Sequence, residues 1–501
     1  MSGSQAASSS GTRRARRAAS WQPALLRPPD TPGPGSSGWQ PALLRVMRPS
    51  TTALLVVFLA LQFLIPARLV IGGMGAVGRP SVAVGILLMF LWLVSFTRRN
   101  QLPSAVQPIR WVVLGYLAVQ LFGYAVGYDR GLPGIEASAA DRWLIFVVAM
   151  VGVTLATADG VPDRRRLDNL LRTLVALASV MAFIGVLQFL GVADLTQYLR
   201  LPGLQNNAEL IDIGERGGPG FARVASTATH YIEFGVVLSM VLPLALHYGL
   251  FASSVKQRWT WWTAAGLIAA AIPFSLSRSA TLAVAVGMFL LATVWPWRQK
   301  FNGAMIGLGA ATAFTVVQPG VLGTIRALFT NAENDPSIQN RLADTEYVLN
   351  LWEQNPIIGR GAGTVLPDRY ILLDNQLYMT LLAGGVVGLV GLVLFFMVPY
   401  FVARNIRLRG ADQETRHLAQ ALAVIFPVGL LASATFDSLS FATFVGVVFV
   451  AAGAIGALWR LDHESGHERV LQVAGPDDRF VATPLMADRT SKPGGQQTSP
   501  T

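Results

Sequence analysis

Apolar runs of about twenty residues recur along the chain, separated by shorter polar joints. Each run is long enough to cross a hydrocarbon layer of ~30 Å as a helix. The runs are apolar on every side, whereas a membrane β-barrel needs segments of ~10 residues with alternating polarity. The pattern predicts spans at roughly 51–71, 80–97, 110–127, 142–158, 169–191, 229–250, 259–275, 280–297, 303–319, 376–402, 418–435 and 440–459. The expected fold class is therefore all-α: a polytopic integral membrane helix bundle of about twelve transmembrane helices.

The ends have a different character. Residues 1–48 are rich in Ser, Gly, Pro and Arg and are expected to form a disordered basic tail. A heptapeptide beginning at Trp21 recurs at Trp39, too few copies for a solenoid. Residues 1–46 are expected to be dispensable, and Met47 can serve as a start. Residues 49–460 are expected to form the membrane domain, and 461–501 a disordered polar tail.

Loop charge orients the bundle. With the N-terminus inside, the inner joints carry Arg98, Arg99, Arg110, Arg164, Arg165, Arg166, Arg172, Lys256, Arg258, Arg298, Lys300, Arg404, Arg407, Arg409 and Arg416. The short outer joints carry only Arg68, Arg79, Arg130, Arg142 and Arg278. The bias fits one orientation throughout, with both termini cytoplasmic in a multi-pass cytoplasmic-membrane protein. One span more or fewer would invert every later loop. Two long loops, roughly 192–228 and 320–375, then fall outside. Within the second, Asp335-Pro336 reads as an N-cap with proline at the first helical position. Ile338, Leu342, Leu349 and Trp352 follow as an apolar stripe, and Pro356 ends the helix. This large external loop is expected to hold a surface helix that roofs a cavity.

Composition narrows the function. The chain is 52% hydrophobic and 13% charged, against about 25% charged in soluble domains. Its net charge of +11 is spread over loops and tail, which argues for membrane lipids and against nucleic acid as the partner. The absence of cysteine excludes disulfides, thiol catalysis and cysteine metal sites.

Four stretches carry candidate chemistry. Ser275-Leu-Ser277-Arg278-Ser279 breaks two apolar runs, and its arginine either snorkels to headgroups or binds an anion with help from serine hydroxyls. Between Arg223 and Glu233, His230 and Glu233 share a helix face; they are a charged helix entry with Glu233 as an ordinary capping group, or a weak metal site. Asn355 to Thr364 contains Gly359-Arg360-Gly361-Ala-Gly363, a glycine-rich turn able to form an anion nest. It lacks the spacing and context of a dinucleotide fingerprint. Asp374-Asn375 stands at the mouth of a span, as base and positioner or as a helix cap.

Taken in order, Arg223, Ser277-Arg278-Ser279, Arg341-Leu with Trp352, Asn355-Pro356, Gly359 to Gly363, Asp374-Asn375 and Leu381-Leu-Ala-Gly384-Gly385-Val-Val-Gly388 resemble the O-antigen ligase and O-antigen polymerase superfamily. The resemblance covers roughly 215–400. It implies a twelve-helix bundle and a metal-independent glycosyltransferase without cofactor. The enzyme would act on an undecaprenyl-pyrophosphate-linked oligosaccharide and pass glycan to a glycan or lipid acceptor, with polysaccharide-export proteins as further partners. It implies Arg223 and Arg278 as the pyrophosphate grip, with Arg341 and Arg360 as further substrate-binding residues. Asp374, held by Asn375, would orient or deprotonate the acceptor hydroxyl; His230 and Asp437 are the other external candidates. Ligase relatives carry histidine where this chain has Asp374, so the resemblance leans toward polymerase. A transporter of inorganic carbon and a flippase of lipid-linked glycan are the alternatives. Against them, no matched pair of broken spans is evident, and the candidate charges sit on one side.

Overall fold

The computed structural model describes residues 50–97, 107–207, 223–317, 336–367, 369–371, 373–410 and 412–473, with a few single positions between 318 and 335. The expected N-terminal tail, its repeat, and the C-terminal residues beyond 473 lie outside them. The described residues form α1 (Thr51–Leu64), β1 (Leu69–Ile71), α2 (Pro80–Thr97), α3 (Pro108–Asp129), α4 (Gly134–Gly160), α5 (Arg164–Phe189), the single turn α6 (Leu195–Tyr198), β2 (Leu204–Asn206) and α7 (Tyr231–Leu250). There follow α8 (Val255–Ala271), α9 (Arg278–Ala292), α10 (Trp297–Val317), α11 (Pro336–Trp352), α12 (Gln376–Arg409), α13 (Gln413–Ser433) and α14 (Ala442–Val473).

Each apolar run read from the sequence has most of its described length on one of these helices. Eight of them are long and apolar enough to cross a membrane: α2, α3, α4, α5, α7, α12, α13 and the first part of α14. The chain is thus a polytopic helical membrane protein. α1 and α9 are apolar but shorter. α8 and α10 open on polar turns, Val-Lys-Gln-Arg and Trp-Arg-Gln-Lys. α7 and α14 are the most enclosed, with 89% and 94% of their apolar windows buried, against 33% for α2, α3 and α12. The outer helices present side chains such as Phe90 and Phe289 outward. Trp111, Trp259 and Trp297 are exposed in the first turns of α3, α8 and α10, where an interfacial aromatic belt would stand.

Three boundaries differ from the sequence reading. The first span was expected to reach residue 71, but α1 stops at Leu64, before Pro66, and Leu69–Ile71 is a strand. It pairs antiparallel with Leu204–Asn206, so the bundle carries a small two-stranded sheet within an otherwise helical fold. The last helix continues through residue 461, where a disordered tail was expected, to Val473. Arg460 anchors that stretch by donating to the carbonyls of Val161 and Ala158 at the end of α4. Among the described side chains of α11 the buried ones are Asp344 and Val348, while Leu349 of the expected stripe is exposed. Val348 packs with Val365, Leu373 and Leu382, because the start of α12 meets α11 on that side. The side chains of Ile338 and Leu342 lie outside the described residues.

The largest departure from regular structure is inside α12. Gly385 has φ 59° and ψ −157°, which breaks the helix there. The loop after α11 fills the break. Arg360 N–H donates to Leu382 O at 2.9 Å and Gly361 N–H to Ala383 O at 2.8 Å; in return Val386 N–H donates to Pro356 O and Val387 N–H to Ile357 O, both at 3.0 Å. The fit leaves no room for side chains. A Cβ on Gly385 would stand 2.4 Å from the Ile357 carbonyl carbon, and one on Gly359 (φ 68°) 2.5 Å from Gly385 N.

Gly359→Ala and Gly385→Ala should each destabilise by at least ~1–3 kcal/mol, from left-handed strain alone before any clash. Gly384→Ala, whose Cβ meets open space, should leave the melting temperature of the purified protein nearly unchanged. Equal melting temperatures for all three variants would show that the loop does not seat in the break.

Candidate functional site

The turn entering α7 is held by its neighbours. Ser226 adopts φ 54°, unusual for a residue with a Cβ. Its N–H donates to Gln188 Oε1 at 2.8 Å and its hydroxyl to Met181 O at 2.7 Å, both on α5. Ala67 N–H donates to Thr227 O at 2.9 Å. Arg223 begins this turn. Its guanidinium lies 4.4 Å from the Tyr231 ring centroid and donates to the Tyr231 hydroxyl.

His230 is the N-cap of α7, its Nδ1 accepting from Ile232 N–H at 3.4 Å. Its ring centroid is 4.0 Å from that of Tyr231 and 6.0 Å from that of Phe441. Burial, and then the positive charge of Arg223, lower its pKa to about 4. With Nδ1 engaged as acceptor, the neutral ring carries its hydrogen on Nε2. His230 therefore offers a hydrogen-bond donor more readily than a base. Glu233 is fully buried and serves as a clamp between elements. Its Oε2 accepts from Thr229 N–H at 2.7 Å, and its Oε1 from Thr443 N–H at 2.7 Å and Phe444 N–H at 3.1 Å, capping α14 from α7. Of the readings left open for this pair, capping is the one the hydrogen bonds carry. Among the described residues no group of three or more His, Asp or Glu side chains could hold a metal ion.

The second arginine sits on a comparable turn. A short 3₁₀ segment, Ile272–Ser275, ends in Leu276 at φ 45°, and Ser277 caps α9, whose first residue is Arg278. Two of the serines also build this turn: Ser275 donates to Ile272 O at 2.8 Å and Ser277 Oγ accepts from Ala280 N–H at 3.4 Å. Val224 N–H donates to Phe274 O at 3.4 Å, tying the Arg223 turn to the Arg278 turn. Gly235 lets the two helices approach, since a Cβ there would meet Ala280 Cβ at 2.4 Å and Ser275 Oγ at 2.7 Å.

The remaining expected residues surround the start of α12. Asn375, not Asp374, caps it, with Oδ1 accepting from Leu377 N–H at 2.9 Å and Tyr378 N–H at 3.3 Å. Asp374 is exposed at the preceding position. Arg360 is half-buried, 5.2 Å from the Tyr370 ring centroid, with Nη1 3.4 Å from Gln354 Oε1. The anion-nest reading of Gly359–Gly363 is corrected: the N–H groups of Arg360 and Gly361 are taken by the broken helix. Arg341 lies on α11, and its side chain is outside the described residues.

A cavity of about 290 Å³ opens beside this region. Tyr116 and Gln120 of α3, Arg142 and Trp143 of α4, the 362–367 loop, the first turns of α12, and Asp437 and Ser440 line it. Of the expected site residues none lines it; Asp437, named only as a reserve base, does. Asp437 lies on the turn between α13 and α14. Desolvation raises its carboxyl to about 7; a hydrogen bond with Ser440 opposes the rise, and the negative charges of Asp374 and Glu233 add to it. The same turn places Phe441 against His230. Sequence reading gave Arg142 only a place in the charge count, because it stands at the expected start of a span, whereas α4 begins at Gly134. It also missed buried Glu136, which accepts from Arg130 at 3.0 Å and from Tyr370 at 3.2 Å and pins the long loop to α4.

Arg223→Gln should raise the His230 pKa by removing an adjacent positive charge, while burial holds it below 6.5. A histidine NMR titration would check this. An unchanged pKa would mean that Arg223 does not face the ring.

No curated protein matches the chain. Residues 263–396 match the family model described as O-antigen ligase. That segment runs from α8 into α12 and contains Arg278, Arg341, Arg360, Asp374 and Asn375, while Arg223, His230 and the Asp437 turn lie outside it. Over that segment the chain is similar to the O-antigen ligase family, which supports the resemblance to the O-antigen ligase and polymerase superfamily.

Proposed function

We propose that this protein transfers or polymerises glycan from an undecaprenyl-pyrophosphate-linked donor on the outer face of the cytoplasmic membrane. Its termini are both cytoplasmic in this reading, and the ends of the helices bearing Arg223, Arg278 and Asp374 face outward. The observation that carries it is the joining of the Arg223 and Arg278 turns by the Val224–Phe274 hydrogen bond, inside a chain with an O-antigen ligase match. In the reaction the acceptor hydroxyl oxygen attacks the anomeric carbon. The bond from that carbon to the pyrophosphate oxygen breaks, its electron pair leaves with the pyrophosphate, and the hydroxyl proton passes to a base or water. Arginines stabilise the charge that grows on the leaving group, and their planar forks match phosphate oxygens. Asp374 orients the acceptor hydroxyl from its exposed position beside the α12 cap. No metal is required in this scheme.

Polymerisation is favoured over ligation because Asp374 stands where ligase relatives carry histidine. The transporter and flippase readings draw less support. A transporter uses broken helices to hold its cargo, and here the break in α12 is filled by the chain's own loop.

Arg223→Lys and Arg278→Lys should each lower transfer on the order of 100-fold, the scale of one lost transition-state donor, at normal membrane levels. Transfer of lipid-linked glycan by the purified protein would measure this. Full activity in both variants would overturn the clamp. Asn375→Ala should cost ~1 kcal/mol of stability as a lost cap, while Asp374→Asn should abolish transfer and leave the melting temperature unchanged. Near-normal transfer by Asp374→Asn would remove Asp374 from the mechanism. Reporter fusions at Asp163 and Asp335 should lie on opposite sides of the membrane, and the same side for both would overturn the topology.

A further inference from the structure

The cavity beside the start of α12 has a chemistry that the pyrophosphate clamp does not use. Arg142 lines it and makes no hydrogen bond or ion pair with any of the described residues. It does not pair with Asp437, although both line the same space. A cation within a membrane helix is costly, and normally faces a partner, a substrate or water. Trp143 is locked on the wall by donating its Nε1–H to Gln120 Oε1 at 2.9 Å. That bond leaves the Gln120 amide N–H groups to face a ligand. Gln376 is spent on structure, donating to Thr380 Oγ1 at 3.1 Å and accepting from Leu439 N–H at 2.9 Å, which sets the Asp437 turn.

A locked indole, a guanidinium, amide donors and a carboxyl group around about 290 Å³ suit a ring with hydroxyls and one negative charge. The volume is at the small end of the ~300–1,000 Å³ of ligand pockets, room for one sugar and not for an oligosaccharide. A phosphate dianion suits it poorly, since a single arginine and the Asp437 carboxyl are both in its lining.

We infer that this cavity is a subsite for one sugar residue that carries a carboxylate, a uronic-acid type residue of the glycan, anchored by Arg142. The inference names a substrate class and rests on the proposed glycan-transfer function. Arg142 pairs with the sugar carboxylate, Gln120 donates to ring hydroxyls, and Trp143 supplies the apolar wall. Asp437, in its protonated form, adds a donor without repelling the carboxylate.

The test is direct binding by the full chain in lipid nanodiscs, read by saturation-transfer NMR. The probes are methyl glucuronide and methyl glucoside, with inorganic pyrophosphate and geranyl phosphate as competitors. Methyl glucuronide should bind about tenfold more tightly than methyl glucoside, the scale of one charge-assisted contact. Arg142→Gln should erase that preference, and Arg142→Lys should restore part of it. Gly384→Val should weaken both sugars, because Gly384 lines the cavity with open space at its Cβ. Melting temperatures confirm that each variant is folded. Equal binding of the two sugars, a preference that survives Arg142→Gln, or displacement by pyrophosphate or geranyl phosphate would each overturn the inference, the last by showing a phosphate site. Arg142-dependent uronide binding by a protein without transfer activity would uphold the subsite and remove the proposed function. Transfer without such binding would do the reverse.

Discussion

In the hydrocarbon layer a peptide group that leaves a helix needs another partner, since water is absent and each orphan costs several kcal/mol. The break at Gly385 meets this constraint by importing backbone from elsewhere in the chain. Four hydrogen bonds between residues 356–361 and 382–387 replace those that the helix gives up. The long loop therefore has to return to one fixed place. Its glycines at 359, 361 and 363, all at positive φ, are consequences of that fit. Once seated, the loop brings residues 362–367 to the cavity wall and stations Asp374 and Asn375 at the mouth of α12.

The same economy governs the charged groups. At one end of the helices, arginine–carboxylate contacts act as staples, one of them bidentate. Arg110 meets Asp159 at 2.8 and 3.0 Å while Trp92 donates to the same carboxylate, and Arg164 reaches Asp168 at 3.0 Å. At the other end Glu233 and Glu136 are buried staples, one capping α14 and one tying the long loop to α4. Buried carboxylates with every oxygen engaged hold structure. Chemistry falls to groups that keep capacity for a ligand, such as Arg142 and the Nε2–H of His230.

How much of this was legible in the sequence depends on the range of the interaction. The helices were, because an apolar run of about twenty residues has one low-energy form in lipid. The α11 helix was legible from Pro336, but the phase of its buried face was not, since Val348 and Leu349 are equally apolar and only the position of α12 chooses between them. The glycine-rich turn was visible as a turn. Its partner was not, because Gly384-Gly385 reads as two ordinary small residues in a span. Asp374 and Asn375 are both good caps by type, and one position decides which becomes the cap. Arg142 and Asp437 are far apart in sequence and share only the lining of the cavity, so spacing carried no trace of that common site.

The turn between α13 and α14 links the two halves of the candidate site. Gln376 holds it through Leu439 N–H, and Phe436 O accepts from Gln376 N–H at 3.1 Å, so it moves with the start of α12. Its Asp437 faces the cavity and its Phe441 faces His230, which caps the helix that Arg223 leads into. Glu233, one helical turn on from that cap, grips the first N–H groups of α14 directly after Phe441. Hydrogen bonds and one ring contact thus run unbroken from the start of α12 through this turn to the cap of α7. An enzyme that joins a sugar hydroxyl to a pyrophosphate-linked carbon must hold both reactants in one geometry. In the proposed function, the turn that lines the cavity with Asp437 and contacts His230 through Phe441 would connect the two places where those reactants are held.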